Sequence, residues 1–365
     1  MIKVLVVEDS AVVRAFLVEI LGSDPDMEVV GTASDGEDAL AAVERLRPDV
    51  ITMDMHMPKL DGLEATRRIM ETTPTPIVIV SGSTDPHEVA TTFRAMEAGA
   101  LAILRRPAGL GHPDHEATAG ELLRTVKLMS EVKVVRRWPR LPSEDSVRRP
   151  SIARRVAAPG KFRLVAIGAS TGGPAVLQTI LAGLPKSFPL PLLIVQHMTQ
   201  GFTEGFVEWL AQSTPMSVGV ARHGEPLLAG HVYVAPDGLH MKVGHDETIV
   251  LASDEPENGL RPSVSCLFRS VADVCGGKVV AGLLTGMGRD GARELKLLNE
   301  MGAVTIAQDR DSSVVHGMPG EAIRLDAATL VLSPEKIAAA LMNLADNRGT
   351  LDWNGIGNEA KRRDP

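Results

Sequence analysis

Cysteine is scarce: Cys266 and Cys275 are the only two in 365 residues, so no disulfide framework is available and a reduced, cytoplasmic setting is expected. No uninterrupted apolar run is long enough to cross a bilayer, and Met1-Ile2-Lys3-Val4-Leu5 enters a strand pattern without signal-peptide character, so membrane insertion is not expected. Heptads, repeated modules and zinc-finger spacings are missing, and His223, His231, His240, His245 and His316 show no ligand spacing. Positive charge is not in surplus either; the net charge of −8 argues against broad nucleic-acid affinity, and no nucleic-acid partner is expected. What is present, 44% hydrophobic and 23% charged residues, suits a globular protein. The length exceeds what one core usually serves, which implies two domains and a connector.

From Ile2 to about Met129, apolar runs (IKVLVVE, EVVGTA, DVITMD, PIVIVS, LAILRR) alternate with helical patterns. Strands so uniformly apolar are buried on both faces, which predicts a doubly wound, five-stranded parallel α/β domain of flavodoxin-like type over residues 1–125. In the first helix Val12, Val13, Phe16, Leu17, Ile20 and Leu21 form the expected core stripe, leaving Arg14 and Glu19 to water. Residues 126–158 lose this regularity and gain prolines and arginines, as a basic tether does. From 159 to 347 the pattern predicts a second α/β domain with a mostly parallel sheet and an antiparallel excursion near 231–253, followed by a polar tail, 348–365.

Glu8 and Asp9 follow the first strand and Asp54 ends the third, so a doubly wound sheet brings them to one carboxyl-end crevice. Crowded carboxylates repel, and a hard cation ligated by oxygen, Mg²⁺, resolves the repulsion. Ser81, at the end of the fourth strand, can hydrogen-bond a phosphoryl oxygen, and Arg106, after the fifth, supplies positive charge. VVEDS, ITMDMHMPKLDG, IVIVSGS and a basic residue before Pro107 together resemble the receiver domain of bacterial response regulators. The resemblance makes Asp54 the phosphate acceptor. Receivers usually place Lys where Arg106 stands and often an aromatic where Ile103 stands, so activation weaker than in the family at large is expected.

In the second domain Gly168-Ala169-Ser170-Thr171-Gly172-Gly173-Pro174 lies between a strand and a helix. Neither the dinucleotide spacing nor the P-loop signature is present, whereas G-x-S-x-G fits a nucleophile elbow. His197 closes the strand PLLIVQH and Asp290 follows another in LLTGMGRDG. Singly these are a turn hydroxyl, a satisfied histidine and a helix cap; on three strand ends of one parallel sheet they make a nucleophile, a base and an acid. Backbone N–H groups of Ser170–Gly172 or of Thr285–Gly288 are the two candidate oxyanion sites. Cys266 and Cys275 fall in an apolar helix as inert core.

IGASTGGP, IVQHM, FTEGF, YVAPDGLHM, RPSVS, LLTGMGRDG and VVHGMPG, in this order behind a receiver, are similar to the chemotaxis protein-glutamate methylesterase family, CheB. The resemblance implies Ser170 as nucleophile, His197 as general base and acid, and Asp290 as the carboxylate orienting the imidazole, with Thr171 supporting His197 and Met287 beside the oxyanion site. It further implies demethylation, and glutamine deamidation, on the cytoplasmic domains of chemoreceptors by an acyl-enzyme route that needs no cofactor. A chemotaxis histidine kinase is the implied phosphodonor, receptor arrays the implied location, and an unphosphorylated receiver that obstructs the active site the implied regulation. Two alternatives remain: a nonenzymatic response regulator, or a methylesterase of a non-flagellar chemosensory pathway.

Overall fold

The computed structural model describes residues 1–83, 85–134 and 162–346, which form two compact units. Most of the expected tether, including Trp138, and the expected C-terminal tail lie outside the described residues.

The segment over residues 2–130 alternates β1 (Ile2–Val7), α1 (Ala11–Gly22), β2 (Met27–Ala33), α2 (Gly36–Leu46), β3 (Val50–Met53), α3 (Gly62–Thr72), β4 (Ile77–Ser81), α4 (Pro86–Ala98), β5 (Ala102–Arg105) and α5 (His115–Ser130). Its five strands are all parallel in the order β2-β1-β3-β4-β5. β3 and β4 are buried along their whole length, which is why VITM and IVIVS carry no alternation. Ser10, Asp35 and Asp61 cap α1, α2 and α3 by accepting the N–H of the third residue on. Two expectations for α1 need correction. Val12 lies well off the Leu17–Ile20–Leu21 stripe and is exposed, and Arg14 is half-buried, donating to the carbonyls of Glu8 (2.6 Å) and Asp9 (3.1 Å). The helix α5 runs on to Ser130, with Leu122, Val126 and Met129 buried.

The second unit contains β6 (Leu164–Ala169), α6 (Gly173–Ala182), β7 (Leu192–Gln196), α7 (Thr203–Ser213), β8 (Ser217–Val220), β9 (His231–Val234), β10 (His240–Val243), β11 (Ile249–Ala252), α8 (Val264–Cys275), β12 (Val279–Leu283), α9 (Ala292–Glu300), β13 (Val304–Gln308), α10 (Met318–Arg324), β14 (Leu330–Leu332) and α11 (Pro334–Asp346). Seven strands form one parallel sheet in the order β14-β13-β12-β6-β7-β9-β8. The antiparallel excursion is shorter than the sequence suggested. Among the described strands only β10 and β11 pair antiparallel, whereas β9, with Val232, Tyr233 and Val234 buried, lies parallel between β7 and β8. α10, β14 and α11 had no counterpart in the sequence reading. A three-residue strand and a helix opening on Met-Pro-Gly leave little periodic signal.

From β6 the chain moves first to β7 on one side and later returns to β12 on the other. A crevice therefore opens at the carboxyl ends of β6 and β12, where the loops diverge, and that is where open α/β sheets bind ligands. Phe268, Leu267 and Val271 of α8, together with Leu295 and Leu298 of α9, cover one face as fully buried core, fixing the loops between them.

Candidate active site and receiver pocket

The turn after β6 carries Ser170, which is half-buried. Its N–H donates to Thr285 O (3.0 Å) and its carbonyl accepts from Gly173 N (2.8 Å), closing the strand-to-helix corner. Gly172 adopts φ +78°, and a Cβ there would meet the Val314 side chain at 2.6 Å, so both conformation and space call for glycine. The β12 loop comes equally close: a Cβ on Gly286 would stand 2.6 Å from the Ser170 Cβ. His197 is the residue after β7, one step beyond the Ala169–Gln196 pair, and its N–H donates to Ala169 O (2.9 Å). Ser170 and His197 thus leave adjacent strands side by side.

The imidazole Nε2 of His197 lies 3.0 Å from Asp290 Oδ2. Asp290 is nearly buried, at 5% exposure, and all its partners are donors. Oδ2 also accepts from Val264 N (2.6 Å), while Oδ1 accepts from Ser263 Oγ (2.9 Å) and Ser265 N (3.1 Å). Asp290 therefore does cap a helix, but it is α8, whose N-terminal N–H groups it receives, and not α9, which follows it in sequence and has Gly291 as its N-cap residue. Burial works against the charged form, but the His197 hydrogen bond and charge, with Ser265 and the Val264 N–H, outweigh it and hold the carboxyl down at about 2. The residue is thus an anion at any working pH. With Nε2 engaged by Asp290, Nδ1 is the ring nitrogen left to serve as a base.

Three supporting residues escaped the sequence reading. Gln196, buried at the end of β7, donates its amide to both Ser170 O and His197 O (2.8 Å each), tying the two turns together. Gln308 accepts the Thr285 N–H (2.8 Å), fixing the β12 loop. His240, wholly buried, accepts Ser263 N–H at Nδ1 (3.3 Å), its Nε2 lying 3.1 Å from Glu255 O, and so holds the residue whose hydroxyl holds Asp290. The Ser before a helix in RPSVS was the available signal. Thr171 contributes its carbonyl, which accepts the Thr285 hydroxyl (2.9 Å); among the described residues its own hydroxyl makes no hydrogen bond to His197. Met287 is exposed. The N–H groups of Ser170, Thr285 and Gly286 are consumed by Thr285 O, Gln308 and Val315 O. Those of Thr171, Gly172, Met287 and Gly288 make no hydrogen bond among the described residues. Burial pushes the Cys275 thiol up, and burial together with Glu257 pushes Cys266 up to about 11, so neither is a nucleophile at neutral pH.

At the carboxyl edge of the first unit, Glu8, Asp9 and Asp54 offer ligand atoms all within 4.8 Å of one another. Glu8 and Asp54 are buried and Asp9 is exposed. Burial, then the Asp54 charge, pushes Glu8 up to about 7 despite Arg106, and burial likewise raises Asp54. Arg106 spans the pair, 3.2 Å from Glu8 Oε2 and 3.9 Å from Asp54 Oδ1. Ser81 is buried beside it, its carbonyl accepting Arg106 N (2.8 Å) and its hydroxyl accepting Ser83 N (3.3 Å). The three acids, the serine and the cation expected in one pocket are brought together there.

The two units define a class: a receiver coupled to an α/β hydrolase that carries serine, histidine and aspartate on one sheet edge. Residues 165–341 match the CheB methylesterase family model, and residues 4–112 match the response regulator receiver domain. A Nitrosospira multiformis protein named protein-glutamate methylesterase/protein-glutamine glutaminase is 65% identical over 96% of this chain and 98% of its own length. A Geobacter metallireducens protein of that name, numbered 4, is 59% identical over 94% of this chain and 99% of its own. The crystal structure of the Thermotoga maritima CheB methylesterase catalytic domain is 35% identical, with a TM-score of 0.49, and covers 50% of this chain and 98% of that one. The chain belongs to the CheB family of protein-glutamate methylesterases/protein-glutamine glutaminases. Among the described residues no helix is long and apolar enough to cross a membrane.

Proposed function

We propose that the second unit hydrolyses γ-methyl esters of glutamate side chains on the cytoplasmic domains of chemoreceptors, with Ser170, His197 and Asp290 as catalytic residues. The observation that carries this reading is the Asp290 carboxylate, held by four donors, one of them His197 Nε2, beside the Ser170 turn. Nδ1 of His197 takes the Ser170 proton as Oγ attacks the ester carbonyl, and Asp290 stabilises the imidazolium. The oxyanion is received by N–H groups among Thr171, Gly172, Met287 and Gly288, whose donors are uncommitted. The imidazolium returns its proton to the departing methoxide, releasing methanol. Water then gives its proton to Nδ1 as it attacks the glutamyl-serine ester, leaving a glutamate carboxyl group and free serine. A glutamine side chain follows the same route with ammonia leaving. Thr171 acts through its carbonyl on Thr285, a positioning role.

In the first unit Asp54 is the proposed phosphoryl acceptor, a chemotaxis histidine kinase the donor, and Ser81 and Arg106 the groups that bind the phosphoryl oxygens. Glu8, Asp9 and Asp54 suit Mg²⁺, because their crowded carboxylates are what a hard divalent cation relieves. When bound, Mg²⁺ supplies charge neutralisation for the transferring phosphoryl group. The elevated Glu8 sets a pH dependence. Below about 7 Glu8 holds a proton that the cation must displace, so Mg²⁺ affinity is expected to rise as pH climbs through about 7 and then level off. Calorimetric titration checks this; an affinity that is flat across that range contradicts it. Chelation is expected to abolish phosphorylation of Asp54 by a small phosphodonor, and Asp54→Asn to leave the intact mass unchanged.

Regulation by the receiver, a cytoplasmic location and recruitment to receptor arrays complete the proposal. A chain lacking residues 1–150 is expected to release methanol several-fold faster than the unphosphorylated full chain; an equal or slower rate from a folded fragment removes the inhibitory role. The proposed division is a receiver over residues 1–125, a tether over 126–158 and the catalytic domain over 159–347.

A further inference from the structure

Next to the catalytic edge lies a cleft of about 280 Å³ that no step above uses. It shares a wall with the triad, because Ser265 lines it and also donates its N–H to Asp290. Arg289 reaches it from the β12 loop and Arg293 from the first turn of α9, and both are exposed. The third arginine, Arg269, is committed to Glu257 and Glu294. The remaining acid, Glu321, is bound by Arg324 through two hydrogen bonds (2.6 and 2.8 Å). Among the described residues Arg289 and Arg293 make no ion pair, yet their charges reach the cleft: they help Arg324, the larger cause, hold Glu321 below the usual carboxylate range. The cleft thus contains two unspent guanidinium groups.

We infer that this cleft is an anionic-side-chain subsite, in which Arg289 and Arg293 bind a carboxylate of the polypeptide whose esterified glutamate lies at Ser170. The inference rests on the esterase reading. Its chemistry follows from the product: each hydrolysed ester leaves a glutamate carboxylate, so a segment with several target sites presents carboxylates beside the esters that remain. Guanidinium groups bind carboxylates in a planar, bidentate manner, and at a cleft they set substrate affinity and register without touching the reacting atoms. The enzyme then favours segments that are already partly demethylated.

The test is steady-state methanol release by the full chain acting on a methylated receptor cytoplasmic fragment, in two forms: one with glutamates flanking the ester and one with those glutamates replaced by alanine. For the R289Q/R293Q variant KM on the acid-flanked form is expected to rise about tenfold with kcat within about twofold, as for two partly desolvated ion pairs. On the alanine-flanked form the variant and the original chain are expected to share the same, raised KM. Turnover of a small neutral nitrophenyl ester reports that the variant is folded and is expected to be unchanged. An unchanged KM on the acid-flanked form, or an equal loss on both forms, overturns the inference while leaving the esterase intact. Absence of methanol release by the unsubstituted chain, with nitrophenyl ester turnover preserved, overturns the receptor methyl-ester substrate and the subsite with it.

Discussion

Ser170→Ala is expected to lower methanol release by at least about four orders of magnitude while leaving the fold unchanged. The hydroxyl projects from a turn already fixed by main-chain bonds, namely Ser170 N to Thr285 O, Gly173 N to Ser170 O, and the Gln196 amide to Ser170 O. None of them uses Oγ, so its removal takes away the attacking atom and little structure. At about 1.4 kcal/mol per decade, the loss corresponds to more than about 5 kcal/mol of barrier. Methanol assay together with a melting curve separates the two contributions. A drop of less than tenfold, with an unchanged melting temperature, shows that another group attacks the ester.

For Asp290→Asn a fall in kcat of about three to four orders of magnitude is expected, because the substitution reverses hydrogen-bond polarity where all partners are donors. Ser263 Oγ, Val264 N, Ser265 N and His197 Nε2 each donate to this carboxylate. Whichever way an asparagine amide is turned, its NH₂ faces one pair of them. If it faces His197, the imidazole must switch tautomer and present N–H to Ser170; if it faces Ser263 and Ser265, the start of α8 loses an acceptor, at about 1–3 kcal/mol for the buried donors left unpaired. Stability carries a second signature. A carboxyl held at about 2 in the folded state against 3.8 unfolded contributes about 2 kcal/mol above pH 4, lost as pH falls through about 2. Urea midpoints measured down this range should decline more in the unsubstituted chain than in Asp290→Asn; parallel declines contradict the assignment.

Much of this architecture was legible because strands buried on both faces read as short continuous apolar runs, while the helices between them keep a 3.6-residue period. VITM, IVIVS and LLIVQ announce parallel sheet, and residues at their ends fall on one edge by topology alone. Ser170, His197 and Asp290 were located in that way. What stayed hidden depends on contacts between loops distant in sequence. That Asp290 caps α8 and not α9 follows from how the β12 loop folds over Ser263, 27 residues earlier. Gln196, inside an apolar strand, reads simply as its end; only the approach of the two turns gives its amide two carbonyls to bind. Likewise, Arg14 was assigned to water because helical phase says nothing about a loop that offers carbonyl oxygens to a long side chain.

The central claim, that His197 activates Ser170, is tested most directly by a fluorophosphonate, whose phosphorus takes the place of the ester carbonyl. Attack forms an Oγ–P bond, fluoride leaves and His197 accepts the proton, so the adduct remains on the activated residue. Incubation of the full chain followed by peptide mapping is expected to give one adduct, on Ser170, and none in His197→Ala. Modification at another residue, or undiminished modification of Ser170 without the imidazole, contradicts the account.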